Sequence, residues 1–214
     1  MTIFSDGFES GDFSAWTGIS GSPSPTVTNT SPLQGAYSAT ATKTNGVGGT
    51  SYKTISAIGT LYAGTYVKWD ANPSSGKVHS FMQIQTGGFQ IGVYNVSGTI
   101  KWACYIGAWQ TSNISNPTNN TKYWVEIYFD KNTSNGWMKV DGVTVLSGLS
   151  CANVDITTFR VGAVYVTTDT ITFTWDRCIV SDVYIGPESS YSPKTRSSLP
   201  NTMTTLLNSK ILFS

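Results

Sequence analysis

The stretch "KYWVEIYFDKNTSNGWMKVDGVTVLS", residues 122–147, decides the fold. Large apolar side chains alternate with polar ones, and the runs break at Ser134-Asn135-Gly136 and again at Asp141-Gly142. Residues of these types accept the positive φ that a tight hairpin turn demands. The stretch therefore predicts three antiparallel strands joined by two hairpin turns.

The same pattern extends in both directions. Upstream lie "GAYSATATK" (35–43), "TYVKWDA" (65–71), "HSFMQIQT" (79–86), "FQIGVYNVS" (89–97) and "TIKWACYIGAW" (99–109). Downstream lie "TFRVGAVYV" (158–166) and "ITFTWDRCIVSDVYIG" (171–186). These runs are short, mostly of period two, and bounded by Gly, Asn, Pro or Ser, and no segment before residue 198 has a helical period. Roughly ten to thirteen strands in one domain predict an all-β, two-sheet antiparallel jelly-roll sandwich. It occupies residues 1–187, and residues 188–214 form a linker and tail.

Only 12% of the residues are charged and the formal net charge is +1, with Lys and Arg scattered along the chain. Such a chain exerts no broad pull on nucleic acid or an anionic membrane. No apolar run approaches the ~20 residues of a bilayer span. The opening "MTIFSDGFES" has neither a basic n-region nor an apolar h-region, so no signal peptide is expected in this chain. Cys104, Cys151 and Cys178 lack metal-ligand spacing. Cys104 and Cys178 fall in strand-like runs, as buried free thiols do, with a Cys151–Cys178 bridge as the alternative. Five Asn-x-Ser/Thr triplets, beginning at Asn29, Asn95, Asn113, Asn119 and Asn132, are compatible with an exposed, glycosylatable surface.

The hairpin pattern "YWVEIYFD…GWMKVDGVTVLS" resembles that of laminin-G-like jelly rolls of the concanavalin A-like lectin and glucanase superfamily. The opening "DGFESGDFSAW" and the closing "FTWDRCIVSDVYIG" resemble the first and last strands of the same superfamily. The resemblance covers residues 4 to 187 and is specific for fold. Its members include lectins, hydrolases, lyases and structural modules, so function needs its own argument. The resemblance implies a structural calcium where the N-terminal and C-terminal strands meet. Glu9 and Asp176 match those places, with Asp6 or Asp12 and loop carbonyls as further oxygens. Hard oxygen donors of this kind suit Ca²⁺; ordinary turn and capping roles are the alternative.

No catalytic set stands out. His79 is the only histidine, so no histidine cluster can hold a metal. The paired carboxylates of a glycosidase strand are missing. The nearest pair, Glu126 and Asp130, reads as part of a solvated strand face. Alginate-lyase-like members of the superfamily resemble "MQIQTGGFQIGVYN", through Gln83-Ile84-Gln85 and then Gly92-Val93-Tyr94-Asn95. Gln85 stands where that family has its histidine base. Base chemistry would then fall to Tyr94 or His79, and a non-enzymatic role is expected.

Strand alternation instead predicts a binding face. Lys68, Gln83, Gln85, Gln90, Tyr94, Lys101, Tyr105 and Trp109 all point away from the apolar side of their strands. Rings that stack on sugars, beside amides and ammonium groups that bond hydroxyls, make a glycan groove. An ordinary wet face or a protein contact is the alternative. In the tail, Ser198 and Pro200 suit a helix start. Met203, Leu206, Leu207, Ile211, Leu212 and Phe213 then form an apolar patch suited to assembly with copies of the chain or neighbouring subunits. Together these features predict a non-enzymatic structural or display module, self-associating through its tail, on a virion or an extracellular surface. The alternatives are a carbohydrate-binding module and, after it, a polysaccharide lyase of the same fold.

Overall fold

Alternation of apolar and polar residues produces fourteen strands, with no helix among the described residues. The computed structural model describes residues 1–46, 48–84, 89–114 and 116–187. The strands are β1 (Thr2–Asp6), β2 (Gly18–Ser20), β3 (Thr26–Thr28), β4 (Ser38–Gly46), β5 (Thr50–Ile58), β6 (Thr60–Trp69) and β7 (Val78–Ile84). They continue as β8 (Gln90–Val96), β9 (Thr99–Tyr105), β10 (Trp109–Thr111), β11 (Tyr123–Asp130), β12 (Asn135–Val140), β13 (Val143–Leu149) and β14 (Ile156–Ser181). All pairings are antiparallel. The 122–147 stretch forms β11, β12 and β13 as expected, with β12 closed on β13 by Asp141 at φ 48° and Gly142 at φ 82°. Positive φ at both central residues gives the turn the twist of its flanking strands. Ser97 and Gly98 (φ 52° and 92°) make the same kind of turn between β8 and β9.

The two downstream runs are one strand. β14 pairs with β5 and β7 through its first half, and with β4, β1 and β6 through its second. It thereby belongs to two sheets: β2-β5-β14-β7-β8-β9-β10, and one in which β6-β11-β12-β13 lie on one side of β14 with β1, β4 and β3 on the other. Register shifts between Val161 and Tyr165 and between Asp176 and Ile179 mark where the strand bends. Bulges of this kind increase local twist and re-aim a strand. At Gly162 a Cβ would lie 2.5 Å from the Gly49 carbonyl oxygen, so only glycine lets β14 pass β5 that closely.

Between the sheets lies an aromatic core. Trp69 of β6 stacks on Phe81 of β7 at 6.3 Å and meets Trp102 of β9 edge-on at 5.7 Å. Phe81 also contacts Phe173 of β14, and Trp16 stacks on Phe159. Each such side chain contributes about 1.5–3 kcal/mol by leaving water. Cys104, Cys151 and Cys178 are all buried free thiols, so the Cys151–Cys178 bridge does not form. Burial raises the pKa of all three, which keeps them in the neutral form. Residues 188–214, and with them the tail residues Met203, Leu206, Leu207, Ile211, Leu212 and Phe213, lie outside the described residues.

Candidate functional site

In an antiparallel pair, directly opposed residues share a face with Cβ atoms about 4.5–5.5 Å apart. Trp109 of β10 opposes Tyr105 of β9, Tyr105 opposes Gln90 of β8, and Gln90 opposes Gln83 of β7. The row continues: Gln83 opposes Arg160 of β14, and Arg160 opposes Tyr52 of β5. Their sequence neighbours Lys53's partner Phe159, Val161, Met82, Ile84, Ile91 and Cys104 are all buried in the core, so the row faces outward. Five strand-to-strand steps make it about 24 Å wide. Tyr94 and Lys101, opposite each other two pleat repeats farther along β8 and β9, border it.

The polar groups of this row are little used by the protein itself. Gln83 is 9% exposed, yet its amide makes no hydrogen bond among the described residues. Gln90 accepts one bond, from the Ser80 hydroxyl at 3.2 Å. Arg160 takes part in no ion pair among the described residues, and its buried Nε has no hydrogen-bond partner. Its guanidinium carbon sits 5.7 Å from the centre of the Tyr52 ring. At the other end Trp109 lies 5.3 Å from Tyr105 and 6.5 Å from Tyr94, tilted by 57° and 58°. Lys101 reaches out to Asn113 Oδ1 at 2.8 Å.

Gln83, Gln90, Tyr94, Lys101, Tyr105 and Trp109 thus come together on one face. Gln85 lies outside the described residues. Lys68 does not join them: it lies on β6, opposite Thr174 of β14, in the other sheet. His79 opposes Val93 and Val166, both in the core, so its ring points inward, 3.7 Å from Asp169. Burial lowers its pKa. Of the two bases considered for lyase chemistry, only Tyr94 is on the face. Sequence reading missed Arg160 and Tyr52. A lone arginine inside the apolar run around Phe159 and Val161 was the available signal.

The outer face of the second sheet carries a different row. Tyr62 of β6, Tyr128 of β11 and Trp137 of β12 are directly opposed. Tyr128 and Trp137 stack at 5.7 Å with 26° between planes, and Tyr62 lies 4.8 Å from Tyr128. Tyr184 closes over Tyr62 and Trp137, and Lys139 Nζ sits 4.6 Å and 4.4 Å from the Trp137 and Tyr184 ring centres. Glu126 and Asp130 are on this face but are buried, contrary to the solvated face expected. The cause for Glu126 is the segment after β14, which crosses it and donates the Ile185 N–H at 3.0 Å and the Gly186 N–H. Burial raises the Glu126 pKa. Asp130 accepts bonds from Thr133, Asn132, Thr60 and Tyr128, which bring its carboxyl down to about 2.

The four acidic residues of the N-terminal region and β14 separate into two recesses and a turn. Asp6 is filled by the Trp16 indole N–H at 2.6 Å and the Phe8 N–H at 2.9 Å. Asp12 is exposed and closes its own turn with Ser14 and Ser10, whose hydrogen bonds lower its pKa. Glu9 and Asp176 share a recess of about 270 Å³ with Gly7, Gln34, Gly35 and Arg177. Asp176 is fully buried and accepts bonds from Gln34 N–H, Ser38 hydroxyl and Arg177 N–H; burial, with a contribution from Glu9, pushes it up to about 6. No group of three or more His, Cys, Asp or Glu among the described residues is arranged to hold a metal. The cleft beside it, about 610 Å³, is lined by Asp6, Glu9, Ser10, Arg177 and their neighbours.

No protein-family model and no curated protein matches the sequence. Solved structures do match by shape. Cip1, a cellulose-induced protein, superposes with a TM-score of 0.63 at 16% identity, over 86% of this chain and 99% of that one. The binding domain of Paraclostridial Mosquitocidal Protein 1 gives 0.62 at 8% identity, over 86% of this chain and 49% of that one. Domain 4 of AbnA, an extracellular arabinanase from Geobacillus stearothermophilus solved with arabinotriose, gives 0.51 at 10% identity, covering 85% and 94%. At these identities the likeness establishes the all-β fold, one used by binding domains.

Proposed function

We propose that the protein is a carbohydrate-binding β-sandwich module that holds a glycan along the row from Tyr52 to Trp109. The observation that carries this reading is the set of unused polar groups on Arg160, Gln83 and Gln90, in line with the rings of Tyr105 and Trp109. Amides and a guanidinium can bond sugar hydroxyls while the rings cover apolar sugar faces. A similarly shaped domain solved with arabinotriose supports the reading. The proposal is binding without turnover: of the two candidate bases, His79 points into the core and Tyr94 borders the row. A glycan array probed with the parent chain and with the double variant Gln90→Ala/Trp109→Ala tests it. Binding by the parent that the double variant loses is expected. No binding to any glycan, or equal binding by both proteins, sinks the proposal.

A structural Ca²⁺ in the Glu9–Asp176 recess is proposed beside it. Two carboxylates close enough for one to raise the pKa of the other favour a cation between them. Glu9 and Asp176 would hold it, with carbonyls and water completing the oxygen shell. In EDTA the Asp176 carboxyl should titrate near pH 6 by carbon NMR, and millimolar calcium should move that midpoint down. An unmoved midpoint and unchanged melting temperature end the calcium idea. Display on an extracellular surface or virion, with the tail joining subunits, is compatible with glycan binding. Light-scattering mass of the full chain beside a chain ending at Pro187 tests that: a defined oligomer against a monomer is the expected pair.

A further inference from the structure

Among the described residues the polar row holds one charged side chain, Arg160, and nothing of opposite charge pairs with it. Its immediate neighbours across the strands are Tyr52 and Gln83, both neutral. Its Nε is buried without a hydrogen-bond partner. A buried donor left unpaired on a cation is costly, so the guanidinium gains from an acceptor that reaches it through a small side-chain adjustment. The guanidinium is a rigid planar fork, matched in geometry to a carboxylate that accepts two parallel N–H bonds. The cation–π contact with Tyr52 engages one face of that fork, and Nη1 and Nη2 make no hydrogen bond among the described residues. Tyr52 owes its position to Gly18, where a Cβ would lie 2.7 Å from the Tyr52 hydroxyl oxygen.

From this we infer that Arg160 makes the site selective for carboxylate-bearing saccharides: the acidic sugar sits over β14 and β7, between Tyr52 and Gln83, and the rest of the glycan runs along Gln90 and Tyr105 toward Trp109. The inference rests on the glycan-binding reading of the same row and names its ligand class. Gln83 and Gln90 then bond ring hydroxyls beside the carboxylate. Lys101 is engaged with Asn113 at the border, so it does not duplicate the role of Arg160.

The test uses matched probes that differ in charge: polygalacturonate against its methyl ester, sialyllactose against lactose, and dextran sulfate against dextran. Each is titrated into the full chain and into Arg160→Gln, Arg160→Lys and Lys68→Ala, with folding checked by circular dichroism. A carboxylated probe should bind about tenfold or more tightly than its neutral partner, as expected for a charge-assisted pair. Arg160→Gln should remove that preference. Arg160→Lys keeps the charge without the fork and should lose most of it, which carries the test should the glutamine variant fail to fold. Lys68→Ala removes an equal charge from the other sheet and should change nothing. Equal binding of charged and neutral partners overturns the selectivity while leaving glycan binding in place. Binding confined to the sulfated probe, or a carboxylate preference that survives both Arg160 variants, overturns the assignment. No binding to any probe overturns it together with the glycan reading.

Discussion

On one outer face Tyr62, Tyr128 and Trp137 stand opposite one another across β6, β11 and β12; on the other, Arg160, Gln83, Gln90, Tyr105 and Trp109 do so across β14, β7, β8, β9 and β10. Both rows follow from the period of two, yet they are used differently. In the second sheet Trp137 stacks on Tyr128 at 26°, and Tyr62 lies 4.8 Å from Tyr128 at 36°. Tyr184 meets Tyr62 and Trp137 edge-on, with Lys139 over the Trp137 and Tyr184 rings, so each ring is held by several others. Such a row gives its attraction to the fold. The first-sheet row has donors without acceptors, and Trp109 makes only two tilted ring contacts with nothing stacked on it or closing over it, so the row contributes less to the fold and keeps its groups for a ligand. The number of aromatic residues on a face therefore does not mark the binding face. What marks it is the interaction capacity left unused.

The largest test of this contrast is Trp137→Ala. It removes stacking on Tyr128, contacts with Tyr62 and Tyr184, and the seat of Lys139. Truncating a large aromatic side chain in a packed setting costs about 3 kcal/mol, and urea denaturation should show a loss of that order with glycan affinity intact. Trp109→Ala is the mirror experiment. Stability should stay within about 0.5 kcal/mol, as for a surface change, while affinity for the best array glycan drops about tenfold, or about 1.4 kcal/mol. If Trp109→Ala unfolds the protein, or Trp137→Ala abolishes binding, the two faces have been assigned the wrong way round.

Glu126→Gln sharpens the comparison at a charged position. Glu126 accepts the Ile185 and Gly186 N–H groups that tie the last described segment over the aromatic face. An amide retains one acceptor, so the cost should be about 1 kcal/mol, one hydrogen bond's net worth. The pH trend is the more specific readout. Burial raises the folded pKa above the ordinary 4.5, so as pH rises through that window the unfolded chain gives up its proton first and the carboxyl works increasingly against the fold. The gap between parent and variant should narrow with rising pH, measured by urea midpoints at several pH values. A gap that widens would mean the carboxylate is held charged.

Much of this was legible in the sequence, and what was not has a common cause. The β11–β12–β13 hairpins could be read because Asp141-Gly142 and the alternation act locally. Gln90, Tyr94, Lys101 and Tyr105 could be grouped because β8 and β9 are joined by a two-residue turn that fixes their register. Arg160 could not, since its place beside Gln83 depends on a pairing of β14 with β7 that no turn dictates. Lys68 shows the same limit: alternation gave its side of the strand, but which sheet β6 joins is decided by β14. Tyr52 was hidden because "TSYKTISAI" (50–58) is rich in Ser, Thr and Lys and does not stand out as a strand. Glu126 looked solvated because nothing near it in sequence announces the segment that covers it.

The smallest effect falls at the residue that decides where Tyr52 goes. In Gly18→Ala the new methyl would lie 2.7–3.1 Å from the Tyr52 hydroxyl oxygen, Cζ and Cε1. Those atoms are the far end of a side chain, so the ring can yield by a rotation about its χ angles, and the stability cost should stay below about 1 kcal/mol. The shift nevertheless takes the ring away from the Arg160 guanidinium, which it now faces at 5.7 Å. A contact of this kind is worth about 0.5–1 kcal/mol at an exposed site, so affinity for a carboxylated glycan should fall by roughly two- to fivefold while the neutral partner is unaffected. An equal loss for both partners would mean that Tyr52 contacts sugar directly. A loss for neither would mean that Arg160 holds its orientation without the ring, and that the polar row depends on its neighbours less than the aromatic row does.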